Sequence, residues 1–262
     1  MDLELARRAY VVTGISRGIG RRVAEALLAE GALVAGCARQ AAGLEELQAA
    51  VPTERRDRLL VSAGDATDQL AMAELVDRAL TTFGRLDGVV ANAGAGITGG
   101  VLDTPASDWD RQLPRRIQSI FNLVRPALAG LEASDAARIV IINGVTAHAP
   151  EPHLAAASAA GAAVANLVVS LARELSGRGI LVNAVNLGPI ATDRQRRRHQ
   201  VSGTDLPFDD WAAAEARRRG ILLGRMGRPG EVVPPVLLLL SPRSSYITGT
   251  AIDVAGGSAL RV

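Results

Sequence analysis

The chain has 262 residues, a net charge of +2 and 48% apolar residues, while aromatics make up only 3%. That length suits one α/β domain, and its core must be built from Ala, Val, Leu and Ile. The single cysteine, Cys37, excludes an intramolecular disulfide and fits a reducing compartment. The N-terminus lacks a signal-peptide pattern, and the longest apolar run, 236–240, is too short to span a bilayer. A cytoplasmic protein with no membrane partner is expected. All the basic side chains except three histidines are arginine, and there is no lysine. The basic runs 194–199 and 217–219 have few aromatics among them, so no nucleic-acid partner is expected.

In chain order, short β-rich runs alternate with helical stretches. Residues 10–13 read as a strand and 18–30 as a helix with Ile19, Val23, Ala26 and Leu27 along one face. Further strands are expected at 33–37, 58–62, 87–91, 138–143 and 180–185. Helices are expected at 67–83, about 107–130 and 154–176. A short helix at 231–241 and a strand at 250–254 close the chain. No repeat or composition shift marks a boundary, so 1–262 reads as a single domain. Such alternation predicts an α/β fold of Rossmann type, a doubly wound parallel sheet of about seven strands with helices on both faces. Ligands of such sheets bind beyond the carboxyl ends of the strands, where strand order reverses. Residues 193–220 break the pattern. They are polar, Arg-rich and carry Trp211, and read as a lid-like insertion over the site.

The segment Thr13-Gly14-Ile15-Ser16-Arg17-Gly18-Ile19-Gly20 follows the first strand and opens the first helix. Gly14 permits a tight turn, Gly18 lets backbone approach a pyrophosphate, and Gly20 allows close helix–strand packing. The helix N-terminus then offers free N–H groups to phosphates. With Asn92-Ala93-Gly94 after the fourth strand, this string resembles the short-chain dehydrogenase/reductase family. Asp65 and Ala66, within Gly64-Asp65-Ala66-Thr67-Asp68, match that family's adenine-contacting segment. Pro189, Ile190 and Thr192, within Gly188-Pro189-Ile190-Ala191-Thr192, match the segment that meets the nicotinamide. Gly224-Arg225-Met226-Gly227 and Tyr246-Ile247-Thr248-Gly249 match its C-terminal signatures, so the resemblance covers nearly the whole chain. The second strand ends Cys37-Ala38-Arg39 with no carboxylate to accept from a ribose hydroxyl. Arg39 and Arg17 are in reach of a 2′-phosphate, which favours NADP(H).

The resemblance also implies a catalytic tetrad of Asn, Ser, Tyr and Lys, in which a cation lowers the pKa of the phenol. Aligned from both sides, the serine position is Gly144, the tyrosine position Ala157 and the lysine position Gly161. The asparagine position is Arg116, near a disturbing Pro114. The only tyrosines are Tyr10 and Tyr246, and no lysine exists, so no shift of register restores the pair. Arginine is a poor stand-in, since its geometry differs and it stays protonated.

The polar groups expected near the vacated site are His148 and His153, Asn143 and Thr146, Arg116, and Asp193, Arg194 and His199 from the lid. The sequence leans toward proton transfer by His153 or His148, with Arg116 or Asn143 stabilising an oxyanion. Such a site suits a non-redox step: cyclisation, aldol chemistry, dehydration or isomerisation. Replacing Tyr and Lys by Ala and Gly opens volume for a bulky, apolar, polyketide-like substrate. Two alternatives stay open: an NADPH-dependent oxidoreductase acting on an activated acceptor without Tyr/Lys, and a catalytically silent NADP(H)-binding protein. No metal is expected. By resemblance, helix 154–176 implies a homodimer or homotetramer.

Overall fold

The computed structural model describes residues 1–94 and 96–259. Seven parallel strands form one sheet in the order β3-β2-β1-β4-β5-β6-β7. They are β1 (Ala9–Thr13), β2 (Leu33–Ala38), β3 (Leu59–Ala63), β4 (Gly88–Ala91), β5 (Arg138–Gly144), β6 (Leu181–Leu187) and β7 (Ala251–Val254). The helices are α1 (Gly18–Ala29), α2 (Ala41–Ala50), α3 (Gln69–Phe83), α4 (Ala106–Glu132), α5 (Ala155–Leu175), α6 (Asp193–Val201), α7 (Phe208–Arg218) and α8 (Val233–Leu240).

The pleat sorts the core into two layers. In β1, Val11 faces a cluster with residues of α3, α4 and α5, while Tyr10 and Val12 face one with residues of α1, α2 and α8. Both faces are covered, and β1 is buried at every position, which explains its unbroken apolar run. Strand order reverses between β1 and β4, and that gap places the site.

Several local expectations change. Helix α2 is not evident from the pattern, because only Leu44 and Leu47 of its Ala- and Gly-rich turns are buried. The buried face of α1 is Gly20, Val23, Ala24, Leu27 and Leu28, so Ile19 and Ala26 lie only on its edge. Strand β4 starts one residue late. Asp87 instead accepts from the backbone of Ala9 (2.8 Å), from Ser134 Oγ (2.7 Å) and from Arg8 and Arg85, at the sheet end opposite the site. Helix α4 runs unbroken through Pro114 and Pro126. Pro114 is exposed, so water can take the carbonyl its missing N–H leaves free.

Helix α5 overturns the membrane argument made from apolar runs. The helical stretch Ala155–Arg178 is long and apolar enough to cross a bilayer, because interspersed Ala and Val raise its hydropathy without one long apolar run. Its buried face packs with β5, β6 and α4 in the core. The insertion 193–220 forms two helices. They are pinned by a small cluster of Trp211, Ala212 and Met226, with Phe208 and Ala191 against it.

Candidate functional site

The glycine turn is built by the strand ends around it. Gly14 takes a left-handed backbone, φ +76°, which favours glycine. The N–H groups of Gly14 and Ile15 donate to the Cys37 carbonyl at 2.8 and 3.1 Å. Asn92 Nδ2 donates to the Thr13 carbonyl at 2.8 Å, while the Asn92 and Ala93 N–H groups donate to Thr13 Oγ1 at 3.1 and 3.0 Å. Thr13 therefore locks the loops after β1 and β4 together. It lay in the motif but not among the candidate residues; the signal was a lone hydroxyl ending an otherwise apolar strand.

A Cβ on Gly20 would collide with the Gly14 carbonyl oxygen and stand 2.5 Å from Asn92 Nδ2. Arg17 precedes α1 in extended backbone and supplies no side-chain cap, so the first N–H groups of the helix stay free. With the helix dipole they form an anion cradle that fits a pyrophosphate. Gly18 (φ +59°) faces Thr192, whose Cγ2 would lie 3.7 Å from an added Cβ. Ser16 packs on Gly43 of α2, and Ile19 is half-buried behind the turn.

The remaining cofactor-half residues fall around the same sheet edge. Arg39 is exposed just past β2. Asp65 follows β3. Burial opposes its charge, but the Thr67 N–H and hydroxyl, each 2.9 Å away, with Arg39 and Arg115 nearby, hold its carboxyl below the usual range. Ala66 is buried, and its carbonyl accepts from Asn122. The Pro189 and Ile190 segment is pinned to Gly227: Gly227 N–H donates to the Pro189 carbonyl (3.0 Å) and Ala191 N–H to that of Gly227 (2.7 Å).

Beyond the glycine turn, Gly144 packs against Thr146, and Gly161 against Ala147 and Asn143, while Ala157 faces Gly96 and two arginines approach the loop after β4. Arg116 of α4 donates to the Ile142 carbonyl (2.7 Å) and the Ala93 carbonyl (3.5 Å), so it forms a floor between the ends of β4 and β5. A Cβ on Gly94 would strike its Nη1. Arg194 of α6 donates to the Gly96 carbonyl at 2.9 Å. A Cβ on Gly96 would lie 2.8 Å from Ala157 Cβ and 3.3 Å from Arg194 Nη2. Arg194 and Ala157 thus both approach Gly96. Burial lowers the pKa of the Arg116 guanidinium, and the charge of Arg194 lowers it further. Arg194 is itself lowered by desolvation and then by Arg219, although the open cleft leaves its side chain exposed to solvent. Among the described residues neither Arg116 nor Arg194 has a carboxylate partner.

The other expected catalytic groups are held elsewhere. Asn143 is buried, and its Nδ2 donates to the Gly161 carbonyl (3.0 Å), bracing β5 to α5. His148 lies after the 3-10 turn Val145–Ala147, its Nε2 3.2 Å from Asp253 Oδ2 on β7. Asp253 also accepts from Asn186 at 2.8 Å. His153 stands between Glu151 (3.4 Å) and Arg219 (3.3 Å). Burial lowers its pKa most, against the pull of Glu151, and Arg219, Arg198 and Arg218 add to the lowering. The His199 ring contacts the Leu206 carbonyl (2.7 Å) and packs on Phe208 and Trp211 inside the lid. Arg219, with a side chain 6% exposed, bridges Glu151 (2.7 Å) and Glu215 (3.3 Å), fastening α7 to the loop before α5. The sequence missed this ion network because Glu151, which joins it to the loop before α5, lies far from Glu215 and Arg219 along the chain. Arg218 above all holds the Glu215 carboxyl down at about 2.

A glycine turn at the strand-order reversal, with an uncapped helix behind it, marks a dinucleotide-binding α/β protein. The chain belongs to the short-chain dehydrogenase/reductase family. The family described as enoyl-(acyl carrier protein) reductase matches residues 14–259. The chain is 33% identical to 2-(S)-hydroxypropyl-CoM dehydrogenase 3 of Xanthobacter autotrophicus, over 98% of both chains. It is 31% identical to the 3-oxoacyl-(acyl-carrier-protein) reductase of Salmonella typhimurium, over 94% of this chain and 95% of that one. A short chain oxidoreductase from Pseudomonas aeruginosa, described as containing an atypical catalytic center and solved with NADPH bound, has 37% identity and a TM-score of 0.91. That likeness covers 97% of this chain and 98% of the other. These relatives are named as dehydrogenases, reductases or oxidoreductases. The lean toward a non-redox cyclase-type step, and the alternative of a catalytically silent NADP(H)-binding protein, gain no support from them.

Proposed function

We propose that the protein is an NADP(H)-dependent oxidoreductase that reduces an activated acceptor, a carbon–carbon double bond conjugated to a carbonyl, without a Tyr/Lys pair. The observation that carries this reading is the Arg116–Arg194 pair, two cations without carboxylate partners among the described residues, on the loop after β4 whose Gly96 also faces Ala157. NADPH, held by Gly14, Ser16, Gly18, the α1 N-terminus, Asn92 and the 189–192 segment, supplies hydride when bound. On the acceptor, the β-carbon gains hydride and the π electrons move to the carbonyl oxygen, giving an enolate. The α-carbon then takes a proton from water in the open cleft. The chain's part is electrostatic: Arg194 donates to the oxygen where charge develops, and Arg116 keeps the floor positive. A guanidinium stays protonated. It therefore serves an enolate well and serves poorly an alkoxide, which needs a proton at once.

Purified protein is expected to oxidise NADPH with a simple enone at least about two orders of magnitude faster than with the matching saturated ketone, which would need a general acid. Equal rates, or reduction of the ketone alone, would overturn the reading.

Supporting NADPH over NADH are Arg39 past the end of β2 and the lack of a carboxylate there. Arg39→Ala is expected to weaken NADPH binding by about tenfold, the loss of a charge-assisted bond. NADH affinity should stay within about twofold, read by calorimetric titration of both cofactors.

A further inference from the structure

The inner side of the lid carries more positive charge than the protein itself neutralises. Four guanidiniums converge there and on the floor beneath: Arg116, Arg194, Arg198 and Arg219. They are matched by two carboxylates, Glu151 and Glu215. Arg219 takes both of these, at 2.7 and 3.3 Å, and Arg218 also takes Glu215, at 2.8 Å. Arg198 reaches Glu215 only at 4.0 Å and otherwise donates to Gln195 of its own helix at 3.3 Å. Arg194 has one backbone acceptor, the Gly96 carbonyl. Arg194 and Arg198 are four residues apart on α6, so they share one face of the helix. His153 has its pKa lowered first by burial and then by Arg219 and Arg198, against the pull of Glu151.

Two cations on one helix face, Arg194 exposed and Arg198 half-buried, with Arg219 close to both, attract an anion that can accept from the two together. Nothing in the fold supplies that anion among the described residues. Arg194 and Ala157 both stand against Gly96, and Arg198 lies one turn further along the same face of α6, so the missing partner belongs to the ligand.

We infer that the substrate is itself an anion: apart from its reducible bond it carries a carboxylate or phosphate group that docks on Arg194 and Arg198. This rests on the reductase reading for the position of the reducible bond. The guanidinium forks suit the planar, two-oxygen acceptors of either group.

The probes are trans-4-oxopent-2-enoate, its methyl ester and inorganic phosphate. Each is titrated calorimetrically into the protein–NADP⁺ complex of wild type, Arg194→Gln and Arg198→Gln. The positive nicotinamide is common to all three proteins and cancels. The acid is expected to bind wild type at least about tenfold more tightly than the ester, the scale of one charge-assisted contact. Either substitution should shrink that ratio severalfold, and added salt should weaken the acid more than the ester. Phosphate displacing the acid at lower concentration than acetate does would mark a phosphate as the natural group; the reverse would mark a carboxylate. Equal affinity for acid and ester, with no phosphate binding, overturns the inference. So does a loss of NADP⁺ affinity in both variants with the acid-to-ester ratio unchanged, since the arginines would then serve the cofactor. These are binding readouts and stand apart from turnover. If neither enone is reduced while the acid still binds preferentially, the reductase reading fails and the anion site stands. If acid and ester are reduced equally well and bind equally, the anion site fails and the reductase reading stands.

Discussion

Arg194→Gln is expected to lower kcat/KM for an enone acceptor by about two to three orders of magnitude, the scale of removing one preorganised donor from an oxyanion site. Glutamine keeps an amide that can donate to the Gly96 carbonyl, so the lid contact (2.9 Å in the native chain) has a substitute. What is lost is the charge at Gly96, which Ala157 also approaches. Arg194 is exposed on α6, and its removal relieves repulsion on Arg116, so the fold should tolerate the change. NADPH affinity is expected to stay within about threefold, because the pyrophosphate cradle lies at the α1 N-terminus. Arg116→Gln is a poorer test, since Arg116 also ties the Ile142 and Ala93 carbonyls together. Steady-state kinetics beside a cofactor titration separate the outcomes. A fall in activity toward an uncharged enone with intact NADPH affinity supports the electrophile role, whereas a fall confined to an anionic enone reports lost docking. Unchanged activity removes Arg194 from the chemistry.

Gly20→Ala should be as severe, but through the cofactor. The added methyl would meet the Gly14 carbonyl oxygen and Asn92 Nδ2, and neither atom is free to yield. Gly14 sits in a left-handed turn bonded to Cys37, and Asn92 is bonded to Thr13. Overpacking of this kind costs about 1–3 kcal/mol. Because it pushes α1 away from the turn that aligns its N–H groups, NADPH affinity is expected to fall by about a hundredfold. Gly177→Ala is the control. Nothing lies within 4 Å of a Cβ there and its backbone needs no positive φ, so it should leave affinity unchanged. Calorimetry on both variants decides the matter. Near-native affinity in Gly20→Ala would mean the turn does not bind the cofactor as described.

The features legible in the sequence are those that local chemistry dictates. The Gly14–Gly20 spacing could only be a tight turn opening a helix, and the runs at β1, β4 and β5 could only be strands buried on both faces. The absence of lysine settled which chemistry to doubt before any coordinate was known. What stayed hidden was long-range or weakly patterned. Helix α2 buries two leucines and leaves almost no periodic trace. Pro114 signals a break, yet at an exposed position α4 runs through it. The histidines were natural choices for a proton-transfer site, but His153 stands between its chain neighbour Glu151 and the distant Arg219, and His148 is tucked against Asp253 of β7, which no local pattern foretells. Arg194 was one of several arginines in a polar insertion. Only the path of α6 over the loop after β4 singles it out.

The central claim is that hydride passes to a conjugated acceptor with arginine charge in place of a phenol. It is tested most directly by supplying NADPH deuterated at C4 together with an enone and locating the label in the product by mass spectrometry and NMR. The account predicts one deuterium at the β-carbon, an unlabelled solvent-derived hydrogen at the α-carbon, and one NADPH consumed per product. A product formed without deuterium and with NADPH unconsumed would contradict it and return the site to non-redox chemistry.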